Sequence, residues 1–171
     1  MTDTPEFTNV LELLHRHGVR FLVVGGVACA FNGFVRATED VDILVAADPA
    51  NLDRLLTALG EWGDGHAREL RREDFTLAPG AIQVVEEFPL DIFTLLDGRD
   101  YAEFAPRALA TPAGIRYLGP ADLIAVKRST HREKDAIDVL ALQRQLRSPQ
   151  STPAPASLWQ AIRRQIFRRK E

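Results

Sequence analysis

The chain has 171 residues, which is enough for one compact domain and a short appendage. Its apolar fraction of 46% and charged fraction of 26% are ordinary for a globular protein, and its net charge of −3 means that any affinity for nucleic acid must come from a local basic surface. The single cysteine, Cys29, excludes an internal disulfide, and no segment reaches the roughly 18 apolar residues of a membrane span, so we expect a cytoplasmic protein with no membrane partner.

The elements predicted for the first half rest on apolar spacing and on helix-start signals. Thr4-Pro5 and Asp48-Pro49 each combine an N-cap residue with proline at the first helical position, and an apolar stripe of helical spacing follows both. The elements expected are a helix that ends at Gly18, a strand over 19–24, a short helix over 27–31, a strand over 41–45 and a helix after Pro49.

The second half predicts several strands and then helices. Residues 61–73 indicate a loop or turn, and 75–77 with 82–85 indicate a strand pair around Pro79-Gly80. Thr130 with Glu133 has the spacing of a capping box, which predicts a helix through Leu146. The remaining elements expected are a strand over 90–95, a helix over 101–109, a short strand over 115–118 and a helix from Pro120. This order predicts an α+β domain with a mixed β-sheet flanked by helices and a C-terminal helical region.

Three acidic residues interrupt strand-like apolar sequence: Asp40, Asp42 and Asp91. Because side chains alternate along a strand, Asp40 and Asp42 are expected to project to one face while Val41 and Ile43 enter the core. Neighbouring carboxylates repel each other, whereas a hard cation such as Mg²⁺ prefers oxygen ligands. If the strand that carries Asp91 lies beside the first, the three acids form one metal site.

Gly25-Gly26 falls between a predicted strand and a predicted helix. Without Cβ atoms the backbone can approach a phosphate closely, and a helix start offers free N–H donors. Alone, the pair is more often a simple turn, and it matches neither the dinucleotide-binding nor the P-loop pattern. In combination with Asp40 and Asp42 on the next strand, it predicts a phosphate cradle beside a metal site, as in-line displacement with two metal ions requires.

These residues together carry a family resemblance. Gly25-Gly26, Asp40-Val41-Asp42 and Asp91 resemble the signature of the polymerase-β-like nucleotidyltransferase superfamily, and the run from 25 to 45 is similar to small bacterial members of the AbiEii toxin type. Residues 122–127 and 134–138 are similar to the helical region that follows the catalytic sheet in those proteins. The resemblance covers residues 5–146.

The resemblance and the composition together divide the chain. The segments expected are a nucleotidyltransferase-like catalytic core over 1–118, a helical extension of the same domain over 119–147, a Pro-rich linker over 148–157 and a basic helix over 158–171. The C-terminal helical part is short beside that of the large toxins, so a partner chain is a candidate for completing the acceptor site.

The resemblance implies an enzyme that moves a nucleoside monophosphate from an NTP to an acceptor hydroxyl and releases pyrophosphate. Asp40, Asp42 and Asp91 would be catalytic and would hold Mg²⁺, with two ions during turnover. The nucleotide-binding residues implied are Gly25, Gly26, Arg36, Thr38 and Lys127. The role expected is the toxin of a toxin–antitoxin pair that acts on RNA, with a cognate antitoxin as partner.

The residues just before the acids have structural alternatives. Arg36 can balance phosphate charge, or it can pair with Glu39 or Asp40 and hold the loop. Thr38 is expected to shape that loop through its hydroxyl.

Lys127 also has two interpretations. On its helix it contacts a nucleotide, or it is simply solvated. Asp135 and Asp138 are expected to pair with Lys127 or Lys134 and to hold that lysine in position rather than to act in catalysis.

Other functions stay open from the residues alone. One is a catalytically silent nucleotide-binding or partner-binding protein of the same fold, and another is a nucleotidyltransferase for a small molecule such as an aminoglycoside. A phosphodiesterase or nuclease has no additional His or Glu cluster to support it. The tail concentrates positive charge that can contact an RNA backbone or lie on a helix packed against the domain; it contains Arg163, Arg164, Arg168, Arg169 and Lys170.

Overall fold

The computed structural model describes residues 6–130 and 132–147. The helices are α1 (Glu6–Arg16), α2 (Gly25–Phe31), α3 (Pro49–Gly60), α4 (Tyr101–Phe104), α5 (Pro120–Arg128) and α6 (Glu133–Arg147). The strands are β1 (Phe21–Val24), β2 (Val41–Val45), β3 (Ala81–Val85), β4 (Pro89–Phe93), β5 (Leu109–Ala110) and β6 (Arg116–Tyr117). The helix start predicted at Thr4-Pro5, the linker over 148–157 and the basic helix over 158–171 lie outside the described residues.

The six strands form one mixed sheet in the order β3-β4-β2-β1-β6-β5. β1 pairs with β2 antiparallel and with β6 parallel, β2 pairs with β4 parallel, and β3 pairs with β4 antiparallel at one edge. The expected α+β class with a mixed sheet flanked by helices is confirmed at this level.

The core lies around the central strands. Every residue of β1 is buried, and only Asp42 in β2 is not, which indicates that both faces of these strands are covered. Helix α2 contacts β1 and β2, α1 contacts α3, and α5 contacts α2 and α6. Burial of these apolar strands and helix stripes supplies the main driving force for folding.

Two local predictions are confirmed by their contacts. Asp48 is the N-cap of α3, where its carboxylate accepts a hydrogen bond from the backbone N–H of Asn51, and Pro49 occupies the first turn. Cys29 is fully buried in α2, and burial raises the pKa of its thiol to about 12. The thiol therefore stays protonated and serves as a small core side chain.

The strand predicted over 75–77 is wrong. β3 pairs instead with β4 through a short turn, in which the N–H of Glu86 donates to the carbonyl of Phe88. In the predicted segment Phe75 is buried while Leu77 is 60% exposed, so the aromatic ring anchors an irregular stretch to the core. The local sequence is compatible with either of two antiparallel partners for β3, the segment 75–77 before it or β4 after it. β4 is the longer and more apolar of the two.

Several predicted boundaries also change. The helix predicted over 101–109 stops at Phe104 and continues only as a 3₁₀ turn, Ala105–Arg107, because Pro106 lacks an N–H and clashes with the preceding turn of an α-helix. The capping box of Thr130 is wrong, since α6 begins at Glu133. Residues 61–73, predicted as loop, contain the 3₁₀ turn His66–Glu69 and the start of another.

In the two stretches covered, no helix combines the length and apolar character that crossing a bilayer requires.

Candidate metal centre

Three carboxylates meet beside two neighbouring strands. β2 and β4 are parallel, and their register places Asp42 directly beside Asp91, while Asp40 lies just before β2. One carboxylate oxygen from each of Asp40, Asp42 and Asp91 lies within 4.8 Å of the other two, and all three residues are half-buried. The structure therefore brings together the three acids that the sequence singled out, with Asp42 and Asp91 on the strands that were expected to carry them and Asp40 just before β2.

The three carboxylates of this cluster carry like charges and repel one another. Burial and then the nearby carboxylates of Asp40 and Asp91 raise the pKa of Asp42 to about 6, although Lys127 and Lys134 act in the opposite direction. A cation between the carboxylates removes this repulsion. Three hard oxygen donors, with no sulfur or imidazole among them, are the set that Mg²⁺ prefers, so the residues present fit that ion.

Gly25 and Gly26 lie against the acids. β1 ends at Val24, whose register partner is Asp42, so the chain passes beside the Asp42 carboxylate as it turns into α2. At Gly25 φ is +60° and a Cβ atom would overlap that carboxylate; at Gly26 a Cβ atom would lie 2.8 Å from Oγ1 of Thr38. Both glycines are therefore required for packing the acid cluster, in addition to any role at a phosphate.

Thr38 holds one of the acids. Its side chain is buried, and Oγ1 lies 2.9 Å from Oδ1 of Asp40 and 3.2 Å from the Asp40 carbonyl oxygen. The prediction that Thr38 shapes the loop through its hydroxyl is confirmed. Because Gly26 makes room for this hydroxyl, the second glycine supports Asp40 indirectly.

Lys127 is buried rather than solvated. Its Nζ donates to Oδ1 of Asp135 at 2.9 Å and lies 2.7 Å from Oδ2 of Asp138. Burial by itself lowers the pKa of Lys127, but its neighbours, these two carboxylates among them, outweigh that effect and raise it. The expected holding of Lys127 by Asp135 and Asp138 is confirmed.

Arg36 has a carboxylate partner that the sequence did not suggest. Its guanidinium forms a two-pronged contact with Asp138, from Nε to Oδ1 at 2.7 Å and from Nη2 to Oδ2 at 3.0 Å. Helix α6 supplies this partner from 102 positions downstream. Asp138, which is fully buried, therefore ties the loop before β2 and the lysine of α5 to α6.

One cleft joins these groups. Its lining includes the three acids, Gly25-Gly26, Arg36 and Lys127, and further basic residues Arg132 and Lys134. Apolar side chains also line it: Phe93, Leu96, Leu123 and Val126. Such a cleft can accept a ligand that combines several negative charges with an apolar part, next to a bound cation. Thr38, the remaining nucleotide-binding candidate, does not line the cleft. It contributes to the site through its hydrogen bond to the carboxylate of Asp40.

One residue of the site was missed from the sequence. Gln83 on β3 donates from Nε2 to Oδ1 of Asp91 at 2.8 Å. The wrong partner predicted for β3 concealed this contact. The available signal was the alternation of Gln83 between Ile82 and Val84, which places its side chain on the opposite face from the core.

No protein-family model matches the chain, and a search of curated proteins finds no significant match.

Proposed function

We propose that this protein is a magnesium-dependent nucleotidyltransferase, which moves a nucleoside monophosphate from an NTP to an acceptor hydroxyl. The observation that carries the proposal is the cluster of Asp40, Asp42 and Asp91, with their carboxylates within 4.8 Å on neighbouring strands and a glycine turn packed against them. Metal ions held by oxygen donors can stabilise both the attacking and the leaving oxygen of an in-line displacement at phosphorus.

The rest of the cleft supports a nucleotide over a small inorganic anion. Lys127, Arg132 and Lys134 supply N–H donors for the oxygens of a triphosphate, while Phe93 and Val126 supply apolar surface for a base. A phosphate ion alone leaves that apolar surface unused. Lys127 is also pre-positioned by two buried carboxylates, so little side-chain entropy is lost when a phosphate binds it.

The residues have separate roles in the proposed reaction. Asp40, Asp42 and Asp91 would hold Mg²⁺, which when bound neutralises phosphate oxygens and favours the ionised acceptor hydroxyl. Gly25 and Gly26 line the cleft and would let the triphosphate lie close to the backbone. Arg36 lines the cleft and would contact the triphosphate, and it also holds Asp138 and with it the position of Lys127.

The proposed reaction is a single nucleophilic substitution at the α-phosphorus. The acceptor oxygen forms a bond to the α-phosphorus of the NTP, and the bond from that phosphorus to the oxygen of the β-phosphate breaks. Pyrophosphate leaves with the electron pair of the broken bond. The acceptor proton passes to solvent.

The acceptor proposed is an RNA hydroxyl, and the partner proposed is a cognate antitoxin. Both follow from the sequence resemblance to toxin nucleotidyltransferases. The experiment therefore offers RNA alongside the other acceptor classes that the sequence leaves open.

The direct test is incubation of the full chain with each α-labelled NTP, Mg²⁺ and, in parallel, total RNA, a protein lysate or an aminoglycoside. We expect label on one acceptor class, an equal amount of pyrophosphate, and loss of both with Asp42→Asn. Glu87→Gln is the matched control, because Glu87 is exposed on the turn before β4 and outside the cluster.

Label transfer that persists in Asp42→Asn, or release of free NMP without a labelled acceptor, contradicts the proposal. Binding of Mg²⁺ and NTP without any transfer points instead to a catalytically silent binding protein.

A further inference from the structure

A polar side chain on the edge strand continues the row of acids across the sheet. The register of β2, β4 and β3 aligns Asp42 with Asp91 and Asp91 with Gln83. Gln83 donates from Nε2 to Oδ1 of Asp91 at 2.8 Å. The reaction described above gives this contact no role.

Packing does not explain the glutamine. Gln83 and its neighbours on the same face of β3, Ala81 and Val85, are all exposed, whereas Val84 points into the core and is buried. An exposed edge position accepts many residue types, and a β-branched or aromatic residue is favoured there. The hydrogen bond to Asp91 is thus the specific contact that Gln83 makes.

An amide is a suitable partner for a carboxylate that must also bind a cation. A carboxylate only accepts hydrogen bonds, so the amide nitrogen of Gln83 must face Asp91. The hydrogen bond fixes the rotation of the Asp91 carboxylate through Oδ1 and leaves Oδ2 available to a cation. Because the amide is neutral, it leaves the negative charge of Asp91 intact, whereas lysine or arginine here would compete with the cation for it.

We infer that Gln83 is a positioning residue for the metal centre, acting through Asp91. It holds the carboxylate in the orientation in which all three acids converge. Partners that orient metal ligands in this way typically change metal affinity or activity by about 10-fold to 100-fold when they are removed. The inference rests on the proposed function only in assigning a cation to the acids, since cation binding is measured without NTP.

The test is a double-mutant cycle on Mn²⁺ binding by the full chain, followed by the signal of free Mn²⁺ in electron paramagnetic resonance. Gln83→Met keeps the side-chain length and removes the donor. Val85→Met places the same residue two positions further along the same exposed face, opposite Pro89, and is the matched control. Asp91→Asn and the double variant complete the cycle.

We expect Gln83→Met to weaken Mn²⁺ binding roughly tenfold in the native background and to have no effect in the Asp91→Asn background. Val85→Met should bind as the native chain does. In transfer assays Gln83→Met should lower kcat about tenfold while the KM for NTP changes less than twofold, because the contact lies at Asp91 and not at the basic residues of the cleft.

Three results would overturn the positioning role of Gln83. Native Mn²⁺ affinity in Gln83→Met, an equal loss with and without Asp91, or no Mn²⁺ binding by the native chain overturns it. Failure of the proposed function appears differently, as Gln83-dependent Mn²⁺ binding without transfer of any nucleotide. Thermal unfolding of each variant without metal confirms that the compared chains are folded.

Discussion

A Cβ atom on Gly25 would overlap the carboxylate of Asp42. The backbone there has φ of +60°, a conformation that L side chains rarely adopt. The first glycine of the pair is thus required twice, for its backbone conformation and for the space that Asp42 occupies. The glycine motif and the acidic motif, 14 residues apart from Gly26 to Asp40, form one structural unit.

Gly25→Ala should therefore damage the metal centre beyond its effect on the backbone. We expect a loss of about 1–3 kcal/mol in the free energy of unfolding from the strained φ, and a weakening of Mn²⁺ binding because Asp42 must move. Gly98→Ala is the matched control, since Gly98 has φ of +72° and nothing within 4 Å of its Cβ position. Gly98→Ala should lose similar stability and retain native Mn²⁺ affinity; equal affinities in the two variants contradict the coupling.

Asp42→Asn should stabilise the metal-free protein at neutral pH. The folded-state pKa of Asp42 is raised to about 6, by burial first and by Asp40 and Asp91 second, so its ionised form destabilises the fold. For an acid with a raised pKa the penalty is full above the folded-state value and disappears as the pH falls from about 6 to the unfolded-state value of about 4.

The measurement is urea unfolding of the native chain and Asp42→Asn in the presence of EDTA, at pH 8 and pH 4.5. We expect the variant to be more stable at pH 8, with a smaller advantage at pH 4.5. Added Mg²⁺ should stabilise the native chain and not the variant, which reverses the order. Glu87→Gln, an exposed acid outside the cluster, is the control; a variant that is less stable than the native chain at pH 8 without metal contradicts the reasoning.

Much of the site followed from local pattern. The apolar run from Val41 to Val45, interrupted only by Asp42, predicts β2 with its observed bounds. Because side chains alternate along a strand, Asp42 lies on the face away from Ile43. Gln83 was missed because residues 82–85 were predicted to pair with 75–77, whereas β3 pairs with β4 and so brings Gln83 beside Asp91. The contact of Arg36 with Asp138 depends on how α6 packs, 102 positions downstream, and local sequence carries no information about that packing.

Asp138→Asn should be among the most destabilising single substitutions in the chain. Asp138 is fully buried and compensates the charges of Arg36 and Lys127, so its neutralisation removes this partner from Arg36 and leaves Lys127 with Asp135 alone. Breaking a buried pair in this way typically costs about 3–5 kcal/mol.

Asp122→Asn is the control, because Asp122 also receives two guanidinium contacts, from Arg107 at 3.2 and 3.0 Å, but its arginine is exposed at the surface. An exposed pair contributes about 1 kcal/mol or less. Chemical denaturation at pH 7 measures both variants. An equal loss in the free energy of unfolding for the two variants would mean that burial does not determine how much the ion pairs of Asp138 stabilise the fold.

Asp135 makes the network sensitive to acid. Burial by itself raises its pKa, but hydrogen bonds from Thr130 and Lys127 and the charge of Arg132 outweigh this and lower the pKa to about 2. For an acid with a depressed pKa the stabilisation is present above the unfolded-state value and is lost as the pH falls through the folded-state value. Ionised Asp135 should thus contribute on the order of 2 kcal/mol, lost between pH 4 and pH 2.

Thr130→Val tests this without changing the charge of the protein. The substitution removes the hydroxyl that donates to Oδ2 of Asp135 at 2.5 Å, so the pKa of Asp135 should rise toward its ordinary value. In urea titrations from pH 5 to pH 2.5 the variant should be less stable than the native chain at pH 5, and the difference should narrow as Asp135 becomes protonated. Ser129→Ala, at the preceding position, removes a hydroxyl that donates to the carbonyl of Val126 and is the control. A difference between Thr130→Val and the native chain that stays constant over this range would show that the hydroxyl acts on something other than the ionisation of Asp135.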